Sequence, residues 1–244
     1  MSDQDPEQMT THIPNLIIDG FDFSKAFVTA QAVTATPMAG AQITKRFHKA
    51  ARLISTLSTL LADHPNAPTP AIAEAGVWRG FSAHIMAQYL VTKIPGWQGH
   101  GMHLIDSFAG LRQPQAEDII TDKDGQQHVT KPRHNFQSSV GDVKSAFTDF
   151  PNVTIHAGWI PEVFDSLPDL HWLFVHIDTD HYQPVRDSLN YFIPEMQHGS
   201  AVLNDDYGST LFPGAKKAWD EVCLAHGLTF DVFDTGQALL RRNS

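Results

Sequence analysis

A single cysteine, Cys223, stands in 244 residues, so no disulfide within the chain braces the fold and a disulfide-stapled scaffold is excluded. It falls in an apolar helical context, where a thiol is more often a small buried hydrophobe than a nucleophile, and a reducing compartment fits. Basic residues are scarce, 17 Lys+Arg against 27 Asp+Glu, for a formal net charge of −10 with His neutral. That balance repels a phosphate backbone, so no nucleic-acid partner is expected. No apolar run reaches the roughly 18 residues of a membrane span. The start carries Asp3, Asp5 and Glu7 where a secretory signal needs a basic segment and then an apolar one. The expectation is a cytoplasmic protein without a membrane partner. Zinc signatures are missing too: there are 14 histidines, but no HExxH and no Cys/His pair at finger spacing.

What remains is an ordinary globular composition, 42% hydrophobic and 18% charged, long enough for one sizeable α/β core. Residues 1–35 show no sustained period and read as an arm with room for one short helix. Over 42–62 the residues Ile43, Phe47, Ala51, Leu53, Ile54, Leu57, Leu60 and Leu61 recur at helical spacing, and a cluster of prolines follows. Short apolar runs at 71–77, 101–105, 153–157, 172–177 and 201–203 then alternate with helix-length segments at 82–92, 139–147, 184–196 and 215–225. Such alternation predicts a doubly wound α/β sheet, its strands mostly parallel. Two stretches depart from it. Residues 108–137 form a long polar loop, a candidate lid with Thr36 to Ala39. Residues 228–233 and 237–241, across Asp234-Thr-Gly, read as a C-terminal antiparallel hairpin on the sheet edge.

Open α/β sheets bind ligands beyond the carboxyl ends of their strands, and here those ends are acidic. The first carries Glu74-Ala-Gly76-Val-Trp-Arg-Gly80-Phe-Ser82, whose glycines let backbone approach a ligand ahead of a helix N-terminus; a tight strand-to-helix turn would look similar. The second ends in Asp106-Ser107-Phe108, with a carboxylate placed to grip ribose hydroxyls or to cap the next segment. Together these two ends favour an adenosine-bearing cofactor. Further on come His176-Ile-Asp178-Thr-Asp180-His181-Tyr and Asn204-Asp205-Asp206-Tyr. Asp178 and Asp180 point to one side if the chain stays extended, beside Asp205 and Asp206. Crowded carboxylates repel, and a hard divalent cation is the physical remedy; the other reading has them capping helices in water.

With Glu74 to Gly80, Ile105-Asp-Ser-Phe-Ala-Gly110, His176 to Tyr182, Asp205-Asp-Tyr-Gly208 and Pro213-Gly-Ala-Lys-Lys-Ala-Trp-Asp-Glu221 in this order, the chain resembles the macrocin O-methyltransferase family from about Pro37 to its end. The resemblance implies a class I S-adenosylmethionine-dependent enzyme with a seven-stranded sheet, which uses a divalent cation, usually Mg²⁺, to methylate a sugar hydroxyl of a natural product such as an antibiotic. It implies that Asp178, Asp205 and Asp206 hold the metal and that Asp180 is the general base, with His181 as its rival. It further implies that Glu74, Gly76, Gly80, Ser82, Asp106, Ser107 and Phe108 line the cofactor site and that Trp159 flanks the adenine. The family's usual Asp-Gly-Asp-Leu-Tyr-Glu-Ser-Thr reads Asp178-Thr-Asp-His-Tyr-Gln-Pro-Val185 here, a difference that bears on acceptor binding.

On this reading an arm (1–40) precedes a methyltransferase domain (41–244), the partner is a small hydroxylated acceptor, and a homo-oligomer is expected. The methyl group would pass in line from a sulfonium to an oxygen whose proton Asp180 takes, a step worth ~10²–10⁴-fold in rate. The alternatives are a catechol-type O-methyltransferase, against which the pair Asp205-Asp206 weighs, and a metal-dependent hydrolase on the same sheet. A binding protein that has lost turnover is the third, and the four intact aspartates weigh against it.

Overall fold

The computed structural model describes residues 13–65, 69–129 and 133–242. The acidic start at Asp3, Asp5 and Glu7 lies outside them, as do residues 130–132 of the long loop.

The short apolar runs form seven strands of one sheet. They are β1 (Ile72–Ala75), β2 (Met102–Asp106), β3 (Thr154–Ala157), β4 (Trp172–Ile177), β5 (Met196–Asn204), β6 (Phe230–Val232) and β7 (Ala238–Arg241), in the spatial order β6-β7-β5-β4-β1-β2-β3. The five from β3 to β5 are parallel. The C-terminal hairpin is antiparallel, and β7 inserts beside β5 while β6 takes the edge. Chain direction across the sheet reverses between β1 and β4, the position where a doubly wound sheet opens a crevice. Both of these strands are buried at every residue, as strands covered on two faces must be.

Helices α1 (Phe23–Val33), α2 (Ala41–Asp63), α3 (Phe81–Lys93) and α4 (Val140–Ala146) share one apolar cluster on one face. Helices α5 (Tyr182–Phe192) and α6 (Pro213–Ala225) share the other. Among the described residues no helix is long and apolar enough to cross a membrane.

Two elements differ from the sequence expectation, and a third gains its bounds. The helix allowed for the arm is α1, 11 residues long, formed because Phe23 and Phe27 lie one turn apart and both meet Phe47, with ring centroids at 5.0 and 5.2 Å. Asp22 caps this helix by accepting from the Lys25 amide at 3.0 Å. That apolar stripe is too short to register as a period. The helix expected at 184–196 ends at Phe192, and Met196 opens β5 by pairing with Trp172. The long loop carries an antiparallel ribbon, Ile120–Thr121 with Gln127–His128, and a 3₁₀ turn at Ala116–Asp118.

Candidate active site

Pairing continues one residue past the parallel strands and so fixes their tips. Gly76 donates to the Ile105 carbonyl at 2.9 Å, Asp178 to Ala75 at 2.8 Å and Asp205 to Ile177 at 2.9 Å. Gly76 sits at φ +88°, and a Cβ there would fall 1.9 Å from the Asp178 carbonyl oxygen. Only glycine lets the β1 and β4 tips come this close.

On the β1–β2 side, Asp106 is used by the backbone. Its Oδ2 accepts from Val77 at 2.8 Å and Trp78 at 2.7 Å, and its Oδ1 accepts from Phe108 at 2.6 Å. The carboxylate therefore holds the Gly76 loop in shape and supports Trp78 at φ +50° and Phe108 at φ +55°. Burial pushes the Asp106 pKa up, and these amides work against it.

On the β4–β5 side, the chain does not stay extended past Ile177. Asp180 adopts φ +61°, and the His181 amide donates back to the Thr179 carbonyl at 2.6 Å. The simple alternation expected for Asp178 and Asp180 therefore fails, and this tight turn is what brings both to the cavity. Asn204 accepts from the Asp206 amide at 2.8 Å, an Asx turn that aims the next tip. Ligand oxygens of Asp178, Asp205 and Asp206 lie within 4.8 Å of one another.

Burial, then Asp205 and Asp206, holds Asp178 well above the ordinary carboxylate range. Burial, then Asp206 and Asp178, does the same to Asp180. For Asp205 burial acts upward, but Lys49 and His176 outweigh it and hold the group low. Burial acts to lower His176, but the Asp205 carboxylate 3.6 Å from its Nε2 and the Glu74 hydrogen bond at 2.9 Å to its Nδ1 outweigh that and raise it to about 10.

These tips floor a cavity of about 790 Å³, within the size range of small-molecule sites. Asp178, Asp180, Asp205 and Asp206 all line it, as do Glu74, Gly76, Ser82, Asp106, Ser107 and Trp159. Among the residues the sequence singled out, Gly80, Phe108 and His181 do not. Gly80 supplies φ +88° at the start of α3, where a Cβ would meet the Phe147 ring at 2.8 Å. His181 is buried with its ring on the Arg112 backbone, and burial lowers its pKa.

The site fits the groups that its residues suggest. Asp206 Oδ2 is buried without a hydrogen-bond partner beside two further carboxylates, a hard oxygen set suited to a divalent ion. Across the cavity, the glycine at 76, the buried unpartnered Nε1 of Trp78 and the start of α3 at Phe81 and Ser82 suit a donor with polar and aromatic parts.

Three residues that sequence reasoning missed complete the arrangement. Lys49 of α2 donates from Nζ to both Oδ2 and the carbonyl oxygen of Asp205, each at 2.6 Å, and lies 3.8 Å from Asp206. Gln237 binds the other oxygen of Asp205 at 2.8 Å. Asp118, 4% exposed, accepts from the Tyr182 amide at 2.7 Å and the Gln115 amide at 2.9 Å. It thereby caps α5, which has no side-chain cap of its own, two residues after Asp180 in the chain. A Cβ on Gly214 would fall 2.0 Å from Asp118 Oδ1, so glycine makes room for the cap. Spacing offers a signal for Lys49 alone: Gln42, Lys45, Arg46 and Lys49 form a polar i, i+3, i+4, i+7 row.

The sequence model of the family described as Macrocin-O-methyltransferase (TylF) matches residues 30–238. No curated protein sequence matches the chain. Among solved structures, the O-methyltransferase NovP superposes with a TM-score of 0.69 at 18% identity, covering 91% of this chain and 100% of that one. The calicheamicin methyltransferase CalS11 gives 0.62 at 16% identity, with 100% of both chains covered. An apo structure of CalS11, there described as a TDP-rhamnose 3′-O-methyltransferase, gives 0.56 at 15% identity, covering 91% of this chain and 95% of that one. At these identities the superpositions speak to the fold, a class I methyltransferase sheet.

Proposed function

Since the chain belongs to the macrocin O-methyltransferase family and is an S-adenosylmethionine-dependent O-methyltransferase, we propose that it methylates a sugar hydroxyl of a small natural product with the help of a divalent cation. The observation that carries this reading is the convergence of Asp178, Asp205 and Asp206 within 4.8 Å, with Asp180 on the same cavity floor.

In this reading Asp178, Asp205 and Asp206 hold the ion, which supplies Lewis-acid stabilisation of the oxygen as it loses its proton. Lys49 and Gln237 fix the Asp205 carboxylate from behind, so that its orientation is set before any ligand arrives. Glu74, Gly76, Ser82, Ser107 and Trp159 bind and orient the donor, S-adenosylmethionine, which supplies a methyl group on a sulfonium. Asp106 shapes that side through the loop amides it holds, and Gly80 and Phe108 support the same loop from behind. Asp180 takes the hydroxyl proton as the oxygen–carbon bond forms and the carbon–sulfur bond breaks, leaving a thioether. His181, turned to the Arg112 backbone, supports the turn and takes no proton.

Asp180→Asn tests the assignment. Turnover falls ~10²–10⁴-fold by product mass on a panel of glycosylated metabolites, while S-adenosylhomocysteine binding by calorimetry persists; a fully active variant removes Asp180 as base. Exhaustive chelation abolishes activity and Mg²⁺ restores it, and undiminished turnover removes the metal. The division into an arm (1–40) and a domain (41–244) belongs to the same proposal, with Pro37, Met38 and Ala39 bordering the cavity as part of a closing edge. So do a cytoplasmic location and a homo-oligomeric state, for which light scattering is the measurement.

A further inference from the structure

The wall above the carboxylate floor carries charge that methyl transfer itself does not use. Helix α2 lines the cavity with Gln42, Lys45, Arg46 and Lys49, residues that share one helical face. Lys49 is committed to Asp205. Arg112, also on the cavity, is paired with Glu162. Lys45 and Arg46 form no ion pair with a carboxylate among the described residues.

Lys45 is exposed and Arg46 half-buried, and both face the cavity. Arg46 is also oriented, its guanidinium 5.5 Å from the centroid of the Trp78 ring, a contact that leaves its outer N–H groups available in a fixed plane. Lys45 stands one helical turn, about 6 Å along the axis, from Lys49, and Lys49 touches the floor at Asp205. A ligand that joins the floor to these cations needs the span of about one sugar ring.

We propose that the acceptor is an anionic sugar, with the hydroxyl to be methylated on the carboxylate floor and an oxyanion, a phosphate ester or a carboxylate, on Lys45 and Arg46. This rests on the floor being the methyl-transfer site. The rival claimant is the carboxylate of the donor itself. The free amides where α3 begins, at Phe81 and Ser82, would suit that end of the donor, whereas Lys45 lies in the same row as the lysine that grips Asp205.

The test uses the full chain saturated with S-adenosylhomocysteine and MgCl₂, titrated in a calorimeter with glucose 1-phosphate, glucuronate and neutral methyl glucoside. At least one anionic sugar binds about tenfold tighter than methyl glucoside. The double variant Lys45→Ala/Arg46→Ala erases that preference, as added salt does in the parent protein. The variant keeps its melting temperature and its S-adenosylhomocysteine affinity within about twofold. Whether the phosphate or the carboxylate wins names the source of the anion. Equal binding of the neutral sugar, no binding of either anion, or a preference that survives the double variant overturns the proposal. A variant that instead loses S-adenosylhomocysteine affinity also overturns it, by giving the cations to the donor. Failure of the parent protein to bind S-adenosylhomocysteine at all strikes the methyl-transfer reading beneath it, and is thereby distinguished.

Discussion

Asp106 and Asp206 are the same residue type in the same topological place, just beyond or at the end of a buried strand, yet their surroundings give them opposite fates. Asp106 receives three backbone amides, so its charge is spent on holding a loop. Asp206 keeps a buried oxygen without a partner among like charges. The supply of local donors, more than the residue type, separates a structural aspartate from one free for chemistry. Two buried histidines repeat the lesson. His176, between Glu74 and Asp205, is raised above the ordinary imidazole range, while His103, desolvated beside His156 at 3.0 Å, is lowered to about 4.

The contrast breaks most visibly under paired substitution. Asp206→Asn lowers turnover by on the order of 10²-fold or more and leaves the metal-free protein as stable or more so, since a repelling charge is gone. Asp106→Asn lowers the melting temperature, because the new amide cannot accept from all three backbone groups. Melting curves of opposite sign are the check, and curves that shift alike remove the distinction.

Lys49→Met asks whether the acidic side depends on its built-in cation. Loss of one partner from a pair this buried costs about 3–5 kcal/mol, read from urea unfolding, and a change below about 0.5 kcal/mol would show that Gln237 and His176 suffice.

His103 sharpens the comparison through pH. Its folded pKa is depressed, so the folded state binds fewer protons than the unfolded chain between about pH 6.5 and 4, and its contribution to stability is lost as pH falls through that window. The full loss is on the order of 3 kcal/mol. His103→Phe is therefore less sensitive to acid than the parent, and identical acid profiles would contradict the assignment. Smallest is Asp118→Ala, which strands the Tyr182 and Gln115 amides at a cost of about 1–3 kcal/mol. It lowers kcat more than donor affinity; a uniform loss in both reduces Asp118 to a purely structural cap.

The strand ends and their acids were legible because a buried parallel strand is a short apolar run and the polar residue after it is conspicuous. Asp178, Asp205 and Asp206 converge for that reason. The turn at Asp180 is not legible, since nothing in Asp-Thr-Asp marks the positive φ that Asp180 adopts. Lys49 is hidden because the apolar face of α2 dominates its pattern, although the polar face has a period too. Asp118 acts on a residue 64 positions away, and nothing in a segment without periodicity reports so distant a partner. The first helix was obscured for a third reason: Phe23 and Phe27 gain their meaning only from Phe47, beyond the helix itself.

The anchoring of the long loop also says where the protein tolerates rewriting. Asp118 fastens the outgoing strand of that excursion to α5, and Ala109 bridges to Gln137 at its base. Between these two fixings the ribbon Ile120–Thr121 with Gln127–His128 carries little burial. Peptide tags or longer hairpins grafted at its tip, around Gly125, leave the reacting groups where they are, which makes that tip the natural handle for attaching this enzyme to a surface or a second protein.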